Sequence, residues 1–501
     1  MCRASLLLLF GCRAPDAGPG GLRPEGSVPI ELLTVEGATA SPEPSIPQPG
    51  GVVLTVDGRT LPAEGSSVEA ELIIVGGGPA GLAAAREAEA ASVDWLLLEA
   101  AEEVGGALRH RSIGPLLFFA GTPEQRDAGI TDGAAQLLEE WPVEPNAWTI
   151  AWAEDQIDEV YTWLSALGLR FDLSTTNPDV GSRPRGHSIE GDGDALRTAL
   201  KSGLPMERLR PRTPVTGLLV DGFTVVGVDT PEGELRAKAV LLATGGFQRD
   251  PELVDLARPD LRGVMMWQAS WPDATGDGHH LARAAGAHLN NMGAIGIYAH
   301  GTADPREADS VEEVQVSTLY QGTWLGQNSL VLTPEGYPGF DAGDLVVEAG
   351  GAWALLEGST LGRTAFSDPM AMPGEAAMPT LSAALSAGLP TLHQHDSAAE
   401  LALATGLDEE AVRASLTGEP PFLAVQVAPT LAKAFGGVWV NLSGQALREN
   451  GEPIAGLYAA GEVSGMAGGG LVGPTGHGFT GSLSAVIYSG RRAAWGALGS
   501  L

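Results

Sequence analysis

The sequence predicts an α/β fold: a Rossmann-like dinucleotide-binding domain interrupted by an inserted α+β domain. Three observations carry this. The stretch "ELIIVGGGPAGLAAAREAEAASVDWLLLEA" (71–100) reads as buried strand, glycine turn, alanine-rich helix and second strand. Strand-like segments recur at 214–247 and resume from 435 onward. Between about 301 and 428 the chain becomes loop-rich, with several prolines and weak periodicity, as an insertion would.

The 501 residues suggest roughly three structural units at about 150 residues each. The chain is 44% hydrophobic, ample for a large core, and its formal net charge is −33. No basic run is present, which argues against nucleic acid as a partner. The acidic balance reads as a solvated surface. Cys2 and Cys12 are the only cysteines. The body of the chain therefore lacks the thiols for disulfides, iron–sulfur clusters, CxxC zinc sites or thiol catalysis. No metal site is expected.

From the N-terminus, "MCRASLLLLFGCRAPDAGPGG" has an arginine, an apolar run and Gly11-Cys12. It resembles a bacterial lipoprotein signal over 1–12, with a lipid anchor at Cys12. The run is shorter than an ordinary secretory signal, and Phe10 is unusual at its place. A chance apolar start in a cytoplasmic protein is the alternative. Residues 13–51 are rich in Pro, Gly, Ser and Glu and read as a tether. Residues 52–67 carry Asp57-Gly58 between apolar pairs, a hairpin signal. With that signal the protein is expected to be exported and membrane-anchored.

The motif Gly76-x-Gly78-x-x-Gly81 follows "LIIV" and opens a helix through Pro79 and Ala80. Gly76 permits the tight turn, Gly78 lets backbone approach a pyrophosphate, and Gly81 lets helix and strand pack closely. The helix N-terminus offers free N–H groups to phosphate. Glu99 ends the second strand about 20 residues on, where an acid binds a ribose hydroxyl. Further along, "AWTIAWAEDQIDEVYTWLSALGL" has helical spacing. Strands follow within 214–247, turned at Asp221-Gly222 and Glu232-Gly233. Thr275-Gly276-Asp277-Gly278 reads as a helix N-cap, and "SLSAVIYSGRRAAWGAL" as the last helix.

The ordered set Gly-x-Gly-x-x-Gly, "LLATGGF", "ATGDGHHLARAAGAHLNNM" and "FGGVWVNLSGQALRENGEPIAGLYAAGE" resembles the fumarate reductase and succinate dehydrogenase flavoprotein superfamily. That superfamily also includes 3-ketosteroid dehydrogenases and urocanate reductase. The resemblance covers nearly everything from about 68 to 501 and is weakest over 301–428. It implies a Rossmann-like FAD-binding domain over 68–300 and 429–501, with 301–428 as an α+β capping domain over the flavin. It implies FAD held without a covalent bond. Beyond the first motif, the implied contacts are Gly105, Gly106, Ala107, Val215, Ala243, Thr244, Gly245, Gly461, Glu462, Gly481, Ser482 and Leu483.

The substrate positions depart from the family. "IYAHGT" supplies His300-Gly301-Thr302 for a His-Pro-Thr motif, displaced by two residues. Tyr337 and Pro338 stand where the proton-delivering arginine segment should be. Ala432 and Lys433 replace a pair of histidines, and His477 falls on the arginine that grips a substrate carboxylate. A guanidinium offers a fixed fork to a carboxylate, and imidazole does not. Each lost charge-assisted bond removes roughly 1.5–3 kcal/mol. Fumarate and succinate are therefore excluded as expected substrates.

The expected function is FAD-dependent oxidation or reduction of a carbon–carbon bond beside an activating group, by hydride transfer at flavin N5. The substrate is expected to be small and neutral or apolar. His477, His300 and Tyr337 lead the candidates for proton transfer, with Tyr298, Tyr320 and Lys433 behind them. No haem, iron–sulfur or nicotinamide-binding motif is present, so an external electron donor or acceptor is expected. A flavin oxidase of another substrate class, and a degenerate FAD-binding protein without catalysis, fit the same residues.

Overall fold

Leu72, Ile73 and Ile74 are fully enclosed in the strand Ala70–Val75. A near-continuous apolar run is what a parallel strand covered on both faces requires. Each such side chain contributes about 1.5–3 kcal/mol relative to exposure. The strand belongs to a computed structural model that describes residues 69–109, 117–141, 144–174, 182–307, 310–333, 338–368, 376–465 and 483–501. The expected signal, tether and hairpin lie outside the described residues.

Ala70–Val75 pairs in parallel with Trp95–Leu98 on one side and Gly233–Leu242 on the other. Leu72 stands opposite both Trp95 and Ala239. Leu209–Arg210 and Pro453–Ala459 extend this sheet, also in parallel. Gly217–Asp221, Thr224–Thr230 and Gly233–Leu242 form an antiparallel meander. Gly222 turns its first corner at φ +61° and Gly233 begins the strand after the second at φ +126°. The expected turns at Asp221-Gly222 and Glu232-Gly233 are in place.

The helix Pro79–Ala90 crosses this sheet and is packed along its length by small residues, with Ala80, Ala83, Ala84, Ala85 and Ala88 buried. The last helix, Leu483–Leu498, lies against it. A Cβ on Gly490 would fall 2.8 Å from the Ala80 Cα, so the contact is possible only with glycine there. The helical stretch expected after residue 145 runs through Ala147–Asp155, Gln156–Thr162 and Trp163–Ala166, and its first turn is capped by Asn146.

The described residues between 301 and 428 are more regular than their sequence suggests. They hold a five-stranded antiparallel sheet in the order Val331–Leu332, Thr323–Gly326, Ala352–Leu356, Phe422–Val427, Leu392–His395. Pro338–Glu348, Leu381–Ser386, Ala398–Thr405 and Glu409–Ser415 are helical. The periodicity was weak because short strands buried on both faces, such as Ala352–Leu356, do not alternate. A separate three-stranded sheet joins Trp267–Gln268, Thr430–Ala434 and Ile295–Tyr298, next to where the chain leaves for this region and returns from it.

The expected helix N-cap at Thr275–Gly278 is in place: the helix Asp277–Ala284 begins there, with Gly276 as its N-cap at φ +76° and no side-chain cap. The Thr275 hydroxyl is turned instead to the Asp273 carbonyl.

Candidate active site

The cofactor-binding residues expected from the sequence collect at the C-terminal ends of parallel strands, the usual ligand edge of an open α/β sheet. Gly76, Gly78, Pro79, Ala80 and Gly81 follow Ala70–Val75. Glu99 follows Trp95–Leu98. Ala243, Thr244 and Gly245 follow Gly233–Leu242, and Gly461 and Glu462 follow Pro453–Ala459. Gly76 has φ +103°, and a Cβ there would lie 2.7 Å from the Ala243 carbonyl carbon. A Cβ on Gly81 would run into the Gly76 carbonyl oxygen. Gly78 differs: a Cβ there would meet nothing closer than 3.9 Å, leaving open space beside the backbone.

The helix Pro79–Ala90 has no side-chain cap, so its first-turn N–H groups remain available to an anion. Gly105 donates to the Gly77 carbonyl at 2.8 Å and brings the turn Gly106–Arg109, with Ala107, beside that helix start. Glu99 accepts the Gly77 N–H at 2.7 Å and the Ala101 N–H at 2.8 Å. Its remaining lone pairs suit ribose hydroxyls. Val215 is half-buried a short way along from Thr213, whose N–H donates to the Glu99 carbonyl. The Thr244 hydroxyl is buried without a hydrogen-bond partner, as expected of a group that awaits a cofactor. These features fit FAD. Leu483 opens the described part of the last helix. Gly481, Ser482, His477 and Tyr337 lie outside the described residues.

Glu462 connects this cradle to the three-stranded sheet. Its Oε1 accepts the Gln248 side-chain amide at 2.6 Å and the Ala434 N–H at 3.0 Å. Burial pushes its carboxyl up, against those bonds and the Lys433 charge. A carboxyl there can bond to the hydroxyls of a ribitol chain. Lys433 is half-buried, and its charge also reaches His300.

His300 is half-buried, with its ring stacked on Tyr298 at 4.8 Å between centroids. Burial first, and the Lys433 charge second, pull its pKa down to about 4. At neutral pH His300 is an uncharged imidazole, able to hydrogen-bond a substrate oxygen but not to pair with a carboxylate. Tyr298 is buried. Tyr320 donates its hydroxyl to the Ala299 carbonyl at 2.6 Å and stacks on Trp324, a packing role.

Sequence reasoning missed Glu313. It is 3% exposed, accepts the His300 N–H at 2.9 Å and the Thr430 hydroxyl at 2.9 Å, and is pushed up to about 7 by burial. It also missed Gln248, and Arg249, which pairs with Glu312. None of these contacts is local in sequence, so no spacing pattern announced them. Among the described residues no cluster of side chains suited to a metal is present, and no helix is long and apolar enough to cross a membrane.

The FAD binding domain family matches residues 71–474. The chain belongs to that family. Its relatives include fumarate reductases and steroid dehydrogenases. It is 28% identical to a NADH:fumarate oxidoreductase of Klebsiella pneumoniae over 88% of this chain and 50% of that one. It is 27% identical to a KsdD-like steroid dehydrogenase of Mycobacterium tuberculosis over 87% of this chain and 97% of that one. The chain thus spans about half the length of the first relative and nearly all of the second. Among solved structures it is similar to a 3-ketosteroid-delta4-(5alpha)-dehydrogenase from Rhodococcus jostii RHA1 in complex with 4-androstene-3,17-dione. That likeness has a TM-score of 0.63 and 21% identity, covering 87% of this chain and 98% of that one. As a member of this family, the chain is an FAD-dependent oxidoreductase with an α/β FAD-binding fold.

Proposed function

We propose that this FAD-dependent oxidoreductase acts on a carbon–carbon bond next to an activating group of a neutral or largely apolar substrate, such as a conjugated ketone. When bound, FAD supplies a hydride acceptor or donor at its N5. The chain's own residues hold and orient both partners. The Gly76–Gly81 turn and the uncapped helix start hold the pyrophosphate, and Glu99 and Glu462 hold hydroxyls at two ends of the cofactor. His300, stacked on Tyr298, faces the substrate and offers a hydrogen bond to its activating oxygen.

One observation carries the substrate class: His300 and Tyr298 stack at 4.8 Å as two uncharged rings, and burial draws the His300 pKa down to about 4. A dicarboxylate requires cationic donors at both ends. The sequence supports the same reading, since His477, Ala432 and Tyr337 stand where the resembling family carries Arg, His and Arg. We assign proton transfer to His477 or Tyr337, with non-covalent FAD and an external electron partner. Export and lipid anchoring at Cys12 belong to the same proposal.

Equilibrium difference spectra of the FAD-loaded protein test the substrate class. A neutral ring ketone should perturb the flavin band at concentrations where fumarate and succinate do not. Tight binding of fumarate with no response to ketones would overturn the reading.

A further inference from the structure

The chain passes into the inserted region at 298–301 and returns at 428–430. Glu313, inside that region on the strand Glu313–Val316, holds both passes. Its Oε1 accepts the His300 N–H and the Thr430 hydroxyl, each at 2.9 Å. Two donors from two chain segments thus converge on one side chain that is 3% exposed.

The preceding residue faces the other way. Glu312 takes both terminal nitrogens of Arg249, one on each carboxylate oxygen, at 2.7 Å. Arg249 belongs to the flavin-binding part and is itself fixed, donating to the Ser270 carbonyl at 2.8 Å and the Trp271 carbonyl at 3.1 Å. The backbone reinforces the junction, with Gln268 N–H to the Val311 carbonyl at 2.7 Å and Asp304 N–H to the Glu312 carbonyl at 2.8 Å.

We propose that Glu312 and Glu313 form a two-sided clasp that sets the position of the cap over the flavin. Glu313 ties the outgoing and returning passes to each other, and Glu312 ties them to the flavin-binding part. Both are positioning residues. The inference rests on the reading that 301–428 covers the flavin.

The two halves differ in physical weight. Removing the Glu313 carboxylate leaves the His300 N–H and the buried Thr430 hydroxyl without this acceptor, which is costly. The Arg249–Glu312 pair is partly solvated and adds little to stability, but its two-point fork fixes an angle. Losing Glu312 should therefore loosen the cap without unfolding anything. Losing Glu313 should loosen the passes themselves.

The test uses the full chain, with and without FAD, and three variants: Glu312→Gln, Glu313→Met and the near-isosteric Thr430→Val. Hydrogen exchange at the His300 amide reads the passes, and iodide quenching of flavin fluorescence reads cap closure. Glu313→Met, which removes the acceptor at similar size, should speed exchange at the His300 amide by about tenfold or more, and Thr430→Val by a smaller factor. Exchange in Ala70–Val75 should be unchanged. Glu312→Gln should raise the quenching constant by about twofold or more, and Arg249→Met added to it should change little further. Unchanged exchange in both Glu313→Met and Thr430→Val, or unchanged quenching in Glu312→Gln, overturns the clasp. A protein that loads no FAD overturns the functional reading instead, and amide exchange still decides the tie between the passes.

Discussion

Two adjacent glycines of one motif should fail in opposite ways. Gly78 has φ −72°, so alanine is unstrained there, and its Cβ would meet nothing closer than 3.9 Å. Gly78→Ala should leave the FAD-free protein within about 0.5 kcal/mol of the parent. The methyl would, however, occupy the space through which backbone N–H groups reach a pyrophosphate. Losing one charge-assisted bond removes about 1.5–3 kcal/mol, so FAD affinity should fall by about 10- to 100-fold. Gly81→Ala is the reverse case. Its Cβ would press on the Gly76 carbonyl, 3.1 Å from the carbonyl carbon, and backbone cannot move aside. Helix Pro79–Ala90 is held from the other side by Gly490, so it has nowhere to shift. Overpacking of this kind costs about 1–3 kcal/mol or more. FAD titration by flavin fluorescence, beside urea unfolding of the FAD-free variants, measures both effects. If Gly78→Ala binds FAD like the parent, or Gly81→Ala unfolds like it, the geometry assigned to the cradle is wrong.

The other predictions concern protons and the substrate side. His300 is depressed from 6.5 to about 4, so its stabilising contribution is present above pH 6.5 and lost as pH falls through 4. Glu313 is raised from 4.5 to about 7, so its contribution is present below pH 4.5 and lost as pH rises through 7. Each shift corresponds to at most about 3.5 kcal/mol, and the two oppose each other between pH 4.5 and 6.5. Relative to the parent, urea midpoints in that window should therefore tilt in opposite directions in the two variants. They should decline with rising pH in His300→Asn and with falling pH in Glu313→Gln; identical profiles for all three would contradict the assignment. On the chemical side, His477→Ala should slow substrate turnover while FAD stays bound. An unchanged rate would remove His477 from the reaction.

The parts of the site legible in the sequence are those imposed by backbone. Gly76, Gly78 and Gly81 announce themselves because a tight turn, a close approach and a close helix contact each require glycine within six residues. Glu99 is legible because the strand that carries it is a short apolar run. The pairing of Glu313 with Thr430, or of Arg249 with Glu312, depends on segments far apart in the chain and has no periodic trace. His300 could be singled out by resemblance, but its uncharged state could not, since it depends on burial and on the Lys433 charge. The regular structure between 301 and 428 was hidden for a related reason: strands covered on both faces carry no alternation to read.

Anaerobic mixing of the FAD-loaded protein with a panel of neutral ring ketones, and separately with succinate, tests the central claim most directly. A substrate of the proposed class should bleach the oxidised flavin band, or reoxidise the chemically reduced flavin if the enzyme works as a reductase. Succinate and fumarate should do neither. Rapid bleaching by succinate, or reoxidation by fumarate with no neutral compound active, would contradict the account.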